Sequence, residues 1–96
     1  MNVIADVCIV PVGSGVSVSK EVAACVKLLR EANLNARTHG YGTNLEGDWD
    51  DVFSAIKRCH ELLHASGTVR ISTTIRAGTR IDKDQTVQDK IDKVAE

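Results

Sequence analysis

The stretch TVRISTTIRAG, residues 68–78, decides the fold, because apolar and polar side chains alternate along it. Successive side chains of a β-strand point to opposite faces of a sheet. One face of this strand carries the β-branched residues Val69, Ile71, Thr73 and Ile75. The other face carries the polar residues Arg70, Ser72, Thr74 and Arg76. This pattern indicates a sheet that helices cover on one side only.

The segment before this strand predicts a helix and a hairpin. Apolar residues recur at helical spacing over residues 49–63. Asp48 is a suitable N-cap for this helix, and Gly67 is suited to end it. Residues 35–41 and 43–47 are short segments that meet at a glycine-rich turn, so we predict an antiparallel pair of strands there.

The first third of the chain predicts a strand followed by a helix. Residues 3–12 are largely β-branched and apolar, which is typical of a buried strand. The GSG segment at 13–15 predicts a turn, since it lacks the lysine and the spacing of a phosphate-binding loop. The helix is expected to begin after an N-cap at Ser19 and to stop near Asn33.

The C-terminal segment predicts a third helix. Thr86 followed by Asp89 resembles a capping box. Val87, Ile91 and Val94 form a narrow apolar stripe. Because so short a helix is marginal in water, we expect the stripe to dock, with a second subunit as one candidate surface.

The predicted order is βαββαβ with an extra C-terminal helix. Two helices on one face of a four-stranded antiparallel sheet make a ferredoxin-like α+β sandwich. At 96 residues we expect one domain, spanning residues 1–96.

Composition excludes several classes of function. A net charge of −1 and an aromatic content of 3% argue against nucleic-acid binding. The chain has no apolar run near the ~20 residues that a bilayer requires, so we expect no membrane partner. Three cysteines without close spacing indicate reduced thiols and a cytoplasmic protein.

Residues 60–64, HELLH, match the motif of zinc hydrolases. A catalytic zinc needs a third protein ligand, and none follows at a suitable spacing. His60 also continues the apolar stripe of its helix, which would turn it toward the sheet. We therefore predict that this motif forms no catalytic metal site. A zinc hydrolase, and a weak metal site at His60 and His64 with Cys59, are the alternatives.

The polar face of the sheet holds the other functional candidates. If Leu45 packs toward the helices, Asn44 and Glu46 point to the polar face. On that face they join other polar residues, among them Asp6, Thr74 and Arg76. A polar sheet face is solvated, forms a subunit interface, or lines a pocket for a small heterocycle.

The segment AGTR, residues 77–80, offers a separate possibility on the same strand. With Arg76 and Arg80, it is suited to hold an anion through guanidinium and backbone donors. The alternative is a solvated or intersubunit pair of arginines.

Three segments resemble the thiamine-binding-protein-like family of small proteins: ADVCIVPVG at 5–13, GTNLEGDWDDV at 42–52 and RAGTRIDKDQT at 76–86. The most specific element is G-T-x-x-E-G, formed by Gly42, Thr43, Glu46 and Gly47. The tail with Asp82, Lys83, Gln85 and Thr86 is most similar to the fungal members.

The resemblance implies a ferredoxin-like fold and a homotetramer built as a dimer of dimers. It also implies binding of thiamine or its hydroxymethylpyrimidine moiety beside the sheet, without catalysis or metal. We therefore predict that the protein is not an enzyme and has no cofactor. Fungal members are loosely associated with cell-wall organisation. The alternative is therefore a structural or regulatory homo-oligomer of unknown ligand.

The resemblance and the polar face together predict a ligand site centred on Glu46. Its carboxylate would accept hydrogen bonds from an aminopyrimidine edge, and Thr43 would add a hydroxyl contact. Trp49 or Tyr41 would form an aromatic wall. The complete predicted set of ligand-binding residues is Glu46, Thr43, Asn44, Asp6, Trp49, Thr74 and Arg76. Two alternatives stay open: Trp49 in the helix–sheet core, and Glu46 paired with Arg70 or Arg76.

Overall fold

The structure, a computed structural model, describes residues 1–13, 15 and 18–95. Its elements are β1 (Asn2–Val12), α1 (Ser19–Glu31), β2 (Arg37–His39), β3 (Gly42–Asp48), α2 (Trp49–Ala65), β4 (Arg70–Thr79) and α3 (Val87–Val94). This order confirms the predicted ferredoxin-like α+β fold with its C-terminal helix. Within the described ranges, no helix is long and apolar enough to cross a membrane.

The four strands form one antiparallel sheet in the order β2-β3-β1-β4. The register places Asp6 of β1 opposite Asn44 of β3 on one side and Arg76 of β4 on the other. Arg37 of β2 lies opposite Asn44. Because directly paired residues share a face, these four polar side chains form one row across the sheet.

The core lies between the sheet and the pair of helices α1 and α2. Leu45 of β3, Val52 and Cys59 of α2 are completely buried. Val3, Ala5 and Val7 of β1 face the same layer, since alternate residues of a strand share a face. Leu45 thus packs toward the helices, as the assignment of Asn44 and Glu46 to the opposite face required.

Local signals located most helix ends correctly. Asp48 caps α2, and its carboxylate accepts a hydrogen bond from the backbone N–H of Asp50. Ser19, however, was wrongly predicted as the N-cap of α1. The backbone N–H of Val22 donates to the carbonyl of Val18, so Val18 takes the capping position and Ser19 begins the helix.

The hairpin strand β2 is shorter than predicted. Asn35 has a φ of 48°, a left-handed conformation that does not fit a strand. Gly40 and Tyr41 form the turn instead of extending the strand. Ser14 of the predicted GSG turn lies outside the described residues.

Candidate functional site

A cavity of about 530 Å³ lies on the sheet face that carries Asp6, Asn44 and Arg76, which we call the open face. Strands β1 and β4 supply its floor, and the segment 83–85 and Lys90 of α3 also line it. Its polar and charged lining residues include Asn2, Asp6, Asn44, Arg76, Arg80, Lys83, Asp84, Gln85 and Lys90. The cavity is large enough for a small heterocyclic ligand.

Asp6 is the hydrogen-bonding centre of the cavity floor. One carboxylate oxygen accepts a hydrogen bond from Nε2 of His39 at 2.7 Å, and the other accepts one from Arg76 at 2.9 Å. The backbone N–H of Tyr41 donates to Nδ1 of the same histidine, which leaves Nε2 as the donor toward Asp6. Partial burial acts to raise the pKa of Asp6, but the hydrogen bonds from Arg76 and His39 outweigh it and lower that pKa.

Asn44 lies beside Asp6 in the same row of the sheet. Its side chain is half-buried. No hydrogen-bond partner for its amide is found within the described part of the chain. The amide therefore presents both a donor and an acceptor to the cavity.

Glu46 does not line the cavity, and its carboxylate holds α3 instead. Oε2 accepts a hydrogen bond at 2.7 Å from the backbone N–H of Val87, the first residue of α3. Oε1 accepts another from the side-chain amide of Asn35. The alternative pairing with Arg70 or Arg76 is wrong, since these two oxygens bond Asn35 and Val87 and Arg76 bonds Asp6.

The helix α3 docks on the open face of its own chain. Its predicted capping box is present, with Thr86 and Asp89 bonding each other's backbone N–H groups. Val87 is buried, and Arg37 donates a hydrogen bond to the side chain of Gln88. Ile91 is 46% exposed, so the predicted apolar stripe docks only at its first residue.

The G-T-x-x-E-G element is explained by packing as well as by Glu46. A Cβ added to Gly42 would lie 2.7 Å from the carbonyl oxygen of Val7, so only glycine fits against β1 there. A Cβ on Gly47 would meet the side chain of Leu34 at 2.9 Å. The glycines of this element therefore allow close approach of neighbouring segments.

The other predicted ligand-binding residues lie away from the cavity. Thr43 is buried on the helix-facing side of β3, beside Thr38. Trp49 packs against Phe53 with ring centroids 4.5 Å apart, on the helix layer. Thr74 lies on the open face opposite Cys8, beyond the residues that line the cavity. Of the predicted set, the cavity brings together Asp6, Asn44 and Arg76.

Several cavity residues were missed by sequence reasoning. Lys83 and Asp84 sit in an irregular segment that gave no pattern. Lys90 follows Val87 by three residues, a spacing that puts both on one face of a helix. If Val87 packs against the sheet, this spacing predicts that Lys90 faces the sheet as well.

The two histidines of HELLH make separate hydrogen bonds. Nε2 of His60 lies 2.6 Å from the hydroxyl of Thr73 on the sheet, and Nδ1 of His64 lies 2.8 Å from the carbonyl oxygen of Thr68. His60 thus faces the sheet as expected. In the ranges that the structure describes, no group of three His, Cys, Asp or Glu side chains is arranged to hold a metal ion.

The three cysteines are free thiols. Cys25 and Cys59 are buried between α1 and α2, and Cys8 is half-buried. The Cys59 thiol lies 3.8 Å from the backbone carbonyl of Cys25. Interaction with Cys25, together with burial, raises the pKa of Cys59 strongly, so this thiol stays protonated and unreactive.

A second cavity, of about 200 Å³, lies between α1, the end of β1 and the hairpin. Aliphatic residues such as Val22, Val26 and Leu29 form much of its wall. Such a lining offers few groups to orient a polar heterocycle, whereas the open-face cavity offers charged and amide groups together.

Comparison with known proteins decides the family. A family model described as "thiamine-binding protein" matches residues 5–95. The chain belongs to this thiamine-binding protein family. The UPF0045 protein sll0230 of Synechocystis is 56% identical over 94 residues, covering 98% of this chain and 78% of that protein. The fungal UPF0045 protein ECM15 of Eremothecium gossypii is 47% identical over 95 residues, covering 98% and 90%. The cyanobacterial member is thus more similar than this fungal one.

Two solved structures share the fold of this chain. The hypothetical protein MJ1052 of Methanocaldococcus jannaschii superimposes with a TM-score of 0.89 at 32% identity, covering 97% of this chain and 95% of that one. A Thermotoga maritima protein proposed to serve thiamine biosynthesis or salvage, TM0486, gives a TM-score of 0.85 at 13% identity, covering 99% and 100%. The second likeness concerns the fold alone.

Proposed function

We propose that this protein is a non-enzymatic small-molecule-binding protein that takes thiamine or its hydroxymethylpyrimidine moiety into the open-face cavity. The observation that carries the proposal is the convergence of Asp6, Asn44 and Arg76 on one cavity of about 530 Å³. The name of the matching family supports the class of ligand. On this proposal, residues 1–96 form one binding domain.

The polar groups of the cavity floor complement an aminopyrimidine. Its exocyclic amino group would donate to the carboxylate of Asp6 or to the amide oxygen of Asn44. Its ring nitrogens would accept hydrogen bonds from the amide of Asn44 or the guanidinium of Arg76. Each carboxylate oxygen of Asp6 has one protein donor and therefore retains acceptor capacity for a ligand.

We propose further that the protein works as a cytoplasmic homotetramer, a dimer of dimers. Strand β4 is ten residues long and stands at the edge of the sheet, with its outer backbone groups open to pairing. Ile75 on this strand is 37% exposed. The free thiols support a reducing compartment.

Isothermal titration tests the proposed function directly. We expect saturable heat near one site per subunit with thiamine or with hydroxymethylpyrimidine. Asn44→Ala should weaken binding about tenfold or more, because it removes both hydrogen-bonding groups of the amide. Ser72→Ala, on the same face but outside the cavity, should bind as the wild type does. No heat and no change in melting temperature with either compound would contradict the proposal.

A structural homo-oligomer without a ligand is the second candidate. It is favoured by the number of open-face polar groups that already bond within the chain, such as Glu46 to Val87 and Asp6 to Arg76. Under this alternative, Asn44→Ala would change the oligomeric state, which light scattering measures, and the titrations would be flat.

A further inference from the structure

The open-face cavity is lined by more cationic than anionic side chains, whereas the whole chain has a net charge of −1. Its lining includes four cationic side chains, Arg76, Arg80, Lys83 and Lys90, against the two carboxylates Asp6 and Asp84. The whole chain has 12 Lys and Arg against 13 Asp and Glu. An excess of cations within one concave surface raises the local concentration of anions.

The two arginines are held in place by carboxylates. Arg76 donates to Asp6 through one terminal nitrogen, at 2.9 Å. Arg80 donates to both oxygens of Asp82 through Nε and a terminal nitrogen, and this pairing lowers the pKa of Asp82 to about 2. A guanidinium has five N–H donors, so Arg76 in particular retains donors for a ligand.

The two lysines form no direct ion pair, although Lys83 lies close enough to Asp82 to help lower the pKa of that carboxyl. Neither Lys83 nor Lys90 has a carboxylate within 4 Å in the part of the chain that the structure describes. Lys90 is carried by α3, which Glu46 and Val87 hold against the sheet. Both ammonium groups are thus available to an anion in the cavity.

The register separates two ends of the cavity. Arg80 follows Arg76 by four positions, a distance of about 13 Å along an extended strand. The heterocycle-binding groups, Asp6 and Asn44, share the row of Arg76, and Gly78 opposite Ile4 lies between the two ends. Along β4 the cavity floor therefore runs from the row of Asp6 and Arg76 to Arg80, with no bulky side chain at Gly78 between them.

We infer that the ligand carries a phosphate group: a phosphate or diphosphate ester of an aminopyrimidine, with the phosphate bound by Lys83, Lys90 and the free donors of Arg80. The inference rests on the proposed function, since it assigns the other half of the same ligand. A phosphate ester carries close to two negative charges at neutral pH, which suits two lysines that form no direct ion pair. Free thiamine lacks this phosphate and carries a cationic thiazolium, so we expect it to bind in the same cavity more weakly than its phosphate esters.

Paired titrations test the phosphate group separately from the pyrimidine. Hydroxymethylpyrimidine and its phosphate ester form one pair, thiamine and thiamine diphosphate the second, and inorganic pyrophosphate stands alone. We expect each ester to bind about tenfold or more tightly than its parent alcohol at low salt, with the ratio falling as salt rises. In the double variant Lys83→Gln/Lys90→Gln the ratio should approach one, whereas Lys93→Gln on the same helix should leave it unchanged.

The outcomes distinguish this inference from the proposed function. Esters and alcohols that bind equally would overturn the inference and leave the proposed function standing. If pyrophosphate binds and neither pyrimidine compound increases the affinity beyond that of pyrophosphate, the cavity is an anion site. That result would contradict the proposed pyrimidine ligand. Flat traces with all five compounds would contradict both.

Discussion

At the scale of single residues, Glu46 differs most from its expected role. The sequence drew attention to this carboxylate but gave no sign of its partners, because Val87 lies 41 residues further along the chain. Asp6, Asn44 and Arg76, by contrast, could be assigned to one face from alternation alone. Alternation predicts the face of a side chain, whereas contact between distant segments depends on how the whole chain packs.

Glu46→Ala is expected to loosen α3 and to lower the free energy of unfolding. Loss of a hydrogen bond to a charged, partly buried group costs about 1.5–3 kcal/mol. Hydrogen exchange should speed up selectively at the backbone N–H of Val87. Glu61→Ala, at an exposed position of α2, is the matched control and should change neither quantity. Unchanged exchange in α3 would contradict the role assigned to Glu46.

Asp6 is expected to contribute to the acid limb of the stability curve. Its pKa in the folded protein lies below the ordinary value of 3.8, so its contribution is present above that value and is lost as pH falls through the folded pKa. Asp6→Asn should therefore flatten the fall in stability below about pH 4 in denaturant titrations. Glu31→Gln, an exposed carboxylate of α1, should retain the wild-type slope, and an unaltered slope in Asp6→Asn would count against this account.

At the scale of elements, sequence signals predicted the existence of each helix and strand but not the position of α3. The capping box of Thr86 and Asp89 involves residues close in sequence, and it was predicted correctly. The bond from Arg37 to Gln88 spans 51 residues and has no local signal. As a result, α3 covers part of the sheet face that the alternation along β4 predicted to be free of helices.

Val87 and Ile91 provide a matched pair that tests how α3 docks. Val87→Ala should cost about 1.5 kcal/mol of unfolding free energy, since it removes buried apolar surface equivalent to about two methylene groups. Ile91→Ala removes more carbon atoms but should cost less, because Ile91 is half exposed. Thermal or denaturant unfolding measures both. A larger cost at Ile91 would mean that another subunit covers it.

At the scale of the whole molecule, the fold followed from the order of elements and the one-sided strand pattern. Assembly did not, because a single chain shows only which edges and faces are open. Light scattering should give four times the chain mass of 10.4 kDa for the proposed tetramer. A monomer at micromolar concentration would contradict it and would leave β4 as an unprotected edge.

The most direct test of the central claim is to fill the cavity. A Cβ on Gly78 meets no atom of the described residues within 4 Å, so Gly78→Val should fold normally, and its side chain would occupy the floor between Asp6 and Arg80. Ser72→Val makes the same kind of change on the same strand outside the cavity. Calorimetric titration with hydroxymethylpyrimidine should give saturable heat for the wild type and Ser72→Val but none for Gly78→Val. Equal binding by all three proteins would contradict a ligand site on the open face.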